Sequence, residues 1–243
     1  MANRQRAEAR RKAAAKAARQ ENGSKLWMWL TLGVIAAVAV VGGVVVLTGG
    51  DGETSGPGDS STSSTAAPAF PDSQPITIDG DALPSFNSPS DDPAIGMTAP
   101  LLTGLDFRGD EIIVDATVDG PVMLVFLAHW CPHCNAEMPR LLDWKNSGGV
   151  PPELNVIGVA TAVASTAPNY PPHEWFSNRG WSWPVLVDQK VDDNGSAGKA
   201  AQAYGASGWP YFVIIGADGT VKARSSGELE VSEIQAIVDA ALA

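Results

Sequence analysis

Two cysteines occur in this 243-residue chain, and they stand three apart in Cys131-Pro-His-Cys134. A pair this close closes too small a loop to stabilise a fold through chain entropy. A disulfide-stapled scaffold would carry more pairs. The spacing suits exchange chemistry instead. Residues three apart on a helix share a face, so one thiolate can attack a disulfide and the second thiol can resolve the mixed disulfide that forms. Pro132 suits a first helical position. His133 would put an imidazole between the sulfurs, where it can donate to a Cys131 thiolate or favour it electrostatically. Three blander uses of the same residues compete. One is an inert structural disulfide. Another is a zinc site, although a structural site needs four ligands and there are only two thiols. The third is copper held by the thiols and His129 or His133.

The flanking sequence places the pair at a strand-to-helix junction. Val122-Met-Leu-Val-Phe-Leu127 is a continuous apolar run, as in a strand buried on both faces. A helix is expected from the cysteines to about Lys145, with Met138, Leu141 and Leu142 facing inward. Cys131 then sits beside unpaired backbone N–H groups at the positive end of the helix dipole, and both favour thiolate over thiol. Upstream, Leu101–Phe107 and Glu111–Val114 read as two strands joined through Gly109-Asp110. Downstream, strands are expected at Leu154–Ala160 and Trp183–Val187, and helices at 172–179 and Ser196–Tyr204. A hairpin of Tyr211–Ile215 and Val221–Ala223 turns on Ala217-Asp-Gly-Thr220. Val231–Leu242 closes the chain as an amphipathic helix. This alternation implies an α/β domain with a mixed sheet flanked by helices.

The N-terminal third has a different texture. Residues 1–25 hold eight Lys/Arg against two Glu, a net +6, which leaves −17 for the remainder of a chain whose total is −11. An acidic body argues against nucleic acid as a partner. Leu26–Leu47 has no charge over 22 residues, about 33 Å of helix, enough to cross a bilayer. Trp27 and Trp29 stand at its N-terminal edge, where indoles favour the interface. The positive-inside rule puts residues 1–25 in the cytoplasm and the rest outside. A cleaved signal peptide fits less well, because the small residues Ala37-Val-Ala39 lie inside the apolar run. Residues 48–92 are rich in Gly, Ser, Thr, Pro and Asp, with too little apolar material to offset ordering, and are expected as a disordered linker with weak extended structure near Ile76-Thr-Ile78. Residues 93–243 form the folded domain.

Ala128-His-Trp-Cys-Pro-His-Cys-Asn-Ala-Glu-Met-Pro139 resembles the active-site stretch of the thioredoxin superfamily, above all its TlpA/ResA-type membrane-anchored branch. The lead-in Ile95-Gly-Met-Thr-Ala-Pro-Leu101 and the Gly208-Trp-Pro210 loop resemble further parts of that branch, over residues 94–243. The resemblance implies a thioredoxin-like fold with an N-terminal β-hairpin. It also implies a thiol–disulfide oxidoreductase with no cofactor beyond the Cys131–Cys134 disulfide and no metal. Pro210 would be the cis-proline facing the cysteines, and Trp209 would offer backbone hydrogen bonds to substrate. A Trp there departs from the usual small or β-branched residue. Trp130 would pack beside the pair and face substrate. Glu137, otherwise an ordinary helix acid, would be a partly buried carboxylate serving Cys134 as a proton shuttle. Thioredoxin's own buried Asp is replaced by Val125. His129, Trp144, Trp175, Trp181 and Trp183 are expected to pack, and His173 to lie at the surface.

The Pro-His dipeptide matches the DsbA family, whose attacking cysteine is very acidic and whose members are strong oxidants. The rest of the domain resembles reductants and lacks a long helical insertion of the DsbA kind. Direction therefore stays open. The expected partners are exported proteins with cysteine pairs, apocytochrome c among them, and a membrane redox protein. Two other classes stay open, a copper-delivery module and a non-catalytic tethered binding domain.

Overall fold

The computed structural model describes residues 70–243. The segments expected at 1–25 and 26–47 lie outside the described residues. Among those described, no helix is long and apolar enough to cross a membrane.

Two sheets are present. Strands β1 (Thr77–Asp79), β2 (Leu101–Leu105) and β3 (Glu111–Val114) form an antiparallel sheet in that order. The larger sheet has the order β6-β5-β4-β7-β8, from β4 (Val122–Leu127), β5 (Asn155–Ala160), β6 (Val185–Val187), β7 (Tyr211–Ile215) and β8 (Val221–Ser226). Strands β4, β5 and β6 run parallel, while β7 and β8 are antiparallel. The helices are α1 (Ala116–Asp119), α2 (Pro132–Asn146), α3 (Pro172–Asn178), α4 (Lys199–Ala203) and α5 (Val231–Leu242). This is the thioredoxin-like α/β arrangement with a mixed sheet.

The apolar run of β4 has its reason in this order. The strand is central, every residue is buried, and its alternate side chains go to opposite faces. Val122, Leu124 and Phe126 join one core cluster. Met123, Val125 and Leu127 join the other, which holds both cysteines. Gly158 of β5 gives close approach to the Trp181 ring, which a Cβ would meet at 2.9 Å.

Part of the expected linker is ordered. Over residues 70–92, β1 pairs with β2, Leu83 and Phe86 are buried, and their amides donate to Ala203 O and Gly205 O, each at 2.8 Å. Gly205, at φ +69°, has no side chain because Pro84 O lies where a Cβ would stand. Asp92 pairs with Arg224, both side chains being almost wholly buried, and Arg224 Nη1 donates to Pro84 O at 2.8 Å. Burial alone would push Asp92 up. The Arg224 guanidinium and the Ala94 amide more than offset it and hold the carboxyl below its ordinary range. The extended stretch expected near Ile76-Thr-Ile78 forms β1; beyond it, a composition rich in turn formers hid the segment, because Leu83, Phe86 and Asp92 find their partners more than a hundred residues away.

Among the boundaries that also differ, two have a visible cause. The strand expected from Trp183 begins at Val185, after Pro184, which has no N–H for a ladder. The helix expected from Ser196 begins at Lys199, because its first free amides, Ala200 N and Ala201 N, donate to the Asp188 carboxylate at 2.8 and 3.2 Å.

Candidate functional site

Helix α2 starts at the cysteine pair for local reasons. Cys131 is the N-cap residue in extended conformation (φ −72°, ψ 122°), and Pro132 follows in the first turn. Proline needs no donor there and its φ is already helical. Pro139, inside the helix, cannot donate to the Asn135 carbonyl; Arg179 Nη1 stands 3.5 Å from that oxygen. Asn135 holds the junction. Its Nδ2 donates to Cys131 O at 2.9 Å. Its Oδ1 accepts from Trp175 Nε1 at 2.9 Å and Arg179 Nη2 at 2.6 Å.

The two sulfurs occupy unlike places. Both are free thiols. Cys131 is 5% exposed and Cys134 not at all. Cys131 Sγ donates to Trp209 O at 3.5 Å, and the Trp209–Pro210 peptide is cis. Pro210 is buried and Trp209 half-buried. Trp130 is half-buried, packs on the cluster that includes the cysteines, and donates its indole N–H to Ala162 O at 2.6 Å. Burial pushes the Cys134 thiol far up, and the neighbouring Cys131 and Glu137 push it further.

Glu137, one turn on, is completely buried. Its Oε2 accepts from Leu229 N at 3.0 Å and lies 3.5 Å from Arg140 Nη1. Its Oε1 has no hydrogen-bond partner among the described residues. Desolvation raises this carboxyl to about 7, although the Leu229 amide and Arg140 pull it down.

The structure brings Cys131, Cys134, Glu137, Trp209 and Pro210 into one neighbourhood, with Trp130 packed beside it. His133 has a partner that its place between the cysteines does not announce. Its side chain is 67% exposed, with Nδ1 2.7 Å from Glu228 Oε1, a contact in which the ring N–H donates. The ring thus hydrogen-bonds to a carboxylate. Pro132 is exposed at the rim. His129 is buried; its Nδ1–H donates to Pro168 O at 2.8 Å and its Nε2 accepts from Ala164 N at 3.3 Å. Burial keeps it below the usual imidazole range. Both its nitrogens are engaged within the fold. Among the described residues, no group of three or more His, Cys, Asp or Glu side chains is placed to hold a metal ion.

Glu228 and Arg140 were not singled out in the sequence. Arg140 stands three residues after Glu137, so that pairing had a local signal. Glu228 had none, being 95 residues from His133.

Several solved structures are similar to this chain. A DsbF homologue from Corynebacterium diphtheriae is 18% identical, with a TM-score of 0.49, over 65% of this chain and 98% of that one. A thioredoxin family thiol:disulfide interchange protein from Chlorobium tepidum is 21% identical, with a TM-score of 0.48, over 61% and 97%. A secreted disulfide oxidoreductase from Mycobacterium tuberculosis is 24% identical, with a TM-score of 0.45, over 57% and 94%. The AhpC/TSA family model matches residues 95–224, more than half of the sequence, and the chain belongs to that family.

Proposed function

We propose that this protein is a thiol–disulfide oxidoreductase of the TlpA/ResA type, with Cys131 as the attacking sulfur and Cys134 as the resolving one. The observation that carries this is the asymmetry of the pair. Cys131 caps a helix with a small part of its surface open to solvent, against the Trp209-Pro210 backbone, while Cys134 is fully enclosed beside a buried carboxylate.

In the reductive direction, the Cys131 thiolate attacks one sulfur of a substrate disulfide. A bond forms between Cys131 and that sulfur, and the substrate's other sulfur leaves as a thiolate and takes a proton. Cys134 then gives its proton to Glu137, attacks Cys131 Sγ and expels the remaining substrate sulfur as a thiolate, which takes a proton from solvent. The substrate is reduced to a dithiol and the protein is oxidised to the Cys131–Cys134 disulfide. The oxidative direction is the same sequence reversed. A carboxyl raised to about 7 suits a proton acceptor working near neutral pH. Trp209 and Trp130 would line the place where the substrate chain lies.

Residues 26–47 would anchor the chain in the cell membrane, with the folded domain outside the cytoplasm. Substrates would then be exported proteins with cysteine pairs, such as apocytochrome c, and a membrane redox protein would recycle the pair. Copper delivery is the weaker use of these residues, since His129 has both nitrogens engaged in the fold and His133 is held by Glu228.

The test is the reduction potential of the full chain against a glutathione series, read by alkylation. A value near about −120 mV makes the protein an oxidant, and one near or below about −270 mV a reductant. A pair that cannot be cycled contradicts the proposal, as does a Cys131→Ala variant with undiminished function.

A further inference from the structure

Arg140 is shared among three carboxylates. Its Nη1 lies 2.5 Å from Glu228 Oε2 and 3.5 Å from Glu137 Oε2, and its Nη2 lies 3.3 Å from Glu230 Oε1. The shortest contact is to Glu228, the longest to Glu137. Glu228 in turn takes the ring N–H of His133 on its other oxygen at 2.7 Å. One carboxylate therefore joins the residue between the cysteines to the guanidinium that flanks the buried acid.

We infer that Glu228 is a positioning residue for the exchange reaction: it draws Arg140 away from Glu137 and so leaves Glu137 able to take and release the Cys134 proton. The inference rests on the proposed role of Glu137.

The physical reason is competition for one cation. A guanidinium fully paired with a carboxylate strongly favours its ionised form. Were Arg140 to close on Glu137 with both nitrogens, the acid would stay ionised and be a poor base toward a thiol. Glu228 holds the fork outward, in a part of the surface where its own carboxyl is kept below the ordinary range, first by Arg140 and then by His133. Glu137 keeps a single long contact to the cation, one amide from Leu229 and a bare Oε1. The titratable and charged groups facing Glu137 are Cys134 and Arg140 from its own helix and Glu228 from the loop before α5, with Glu230 acting through Arg140. Glu228 also adds a negative charge that disfavours ionisation of Glu137.

The sign of each substitution follows. Glu228→Gln removes that charge and frees Arg140 to close on Glu137, so the titration midpoint of Glu137 falls. Arg140→Gln removes the cation, so the midpoint rises. Each shift is expected to be about one pH unit, a tenfold change in the ionisation constant.

The experiment uses the full chain in its reduced state, labelled with 13C-glutamate at the carboxyl. The Glu137 resonance is identified by its absence in Glu137→Gln, and its titration is followed in wild type, Glu228→Gln and Arg140→Gln. Shifts of opposite sign support the inference. A Glu228→Gln protein that melts at a lower temperature but keeps the Glu137 midpoint in place overturns it, because a merely structural Glu228 would behave that way. The pH profile of mixed-disulfide resolution supplies the second readout; its rising limb should move to lower pH in Glu228→Gln. A Glu137→Gln variant that resolves as fast as wild type would remove the role of Glu137 itself, a failure distinct from an unmoved midpoint.

Discussion

Glu137 and Asp188 are both carboxylates withdrawn from water, yet their surroundings differ in kind. Asp188 accepts from Ala200 N at 2.8 Å on one oxygen, and from Thr161 Oγ1 at 2.7 Å and Ala201 N at 3.2 Å on the other. Burial raises its carboxyl, and these donors work against that rise. Glu137 has one amide, one distant guanidinium and an oxygen with no partner among the described residues. A buried polar group left unpaired costs free energy that a packed core has no reason to bear. The difference teaches which carboxylate serves architecture and which is kept ready for a proton.

Replacing each acid by its amide should separate the two roles. The largest effect is expected in Glu137→Gln, where the resolving step should slow about 100-fold, the lower range for loss of a general base. Rapid quench of the mixed disulfide measures it. The stability of the same variant should move the other way. The Glu137 carboxyl is raised from 4.5 to about 7 in the folded protein. The protonated acid therefore favours folding below pH 4.5, and that contribution is lost as pH rises through about 7. At pH 8 an amide that cannot ionise should stabilise the protein by up to roughly 3 kcal/mol, from about 1.4 kcal/mol per unit. Urea unfolding at pH 5 and pH 8 checks both the gain and its fall to under about 1 kcal/mol at the lower pH. Asp188→Asn should do the reverse, costing about 1–3 kcal/mol because buried donors lose an acceptor, while the exchange rate per folded molecule stays the same. An Asp188 variant that slows resolution, or a Glu137 variant that only destabilises, would erase the distinction.

The strands and the junction were legible because their causes are local. An unbroken apolar run such as 122–127 must be buried on both faces, and a Cys-Pro step after it must open a helix. The parts missed depend on distant partners. Residues 80–92 look like linker until Arg224, Ala203 and Gly205 are brought beside them. The start of α4 is set by Asp188 and not by its own first residues. At the site, the cysteines, Pro210 and Trp209 followed from motif and resemblance. The carboxylate partner of His133 did not, because the loop carrying Glu228 folds back over α2 and brings an acid to the ring. Spacing within the motif gives no hint of that loop.

The central claim is that Cys131 attacks and Cys134 resolves. Single variants of the full chain, Cys134→Ser and Cys131→Ser, incubated with a disulfide-bonded peptide and analysed by mass spectrometry, test it most directly. The account predicts that Cys134→Ser accumulates a mixed disulfide on Cys131, while Cys131→Ser leaves the fully buried Cys134 unmodified on the same timescale. Equal trapping on both sulfurs, or none on Cys131, would contradict it.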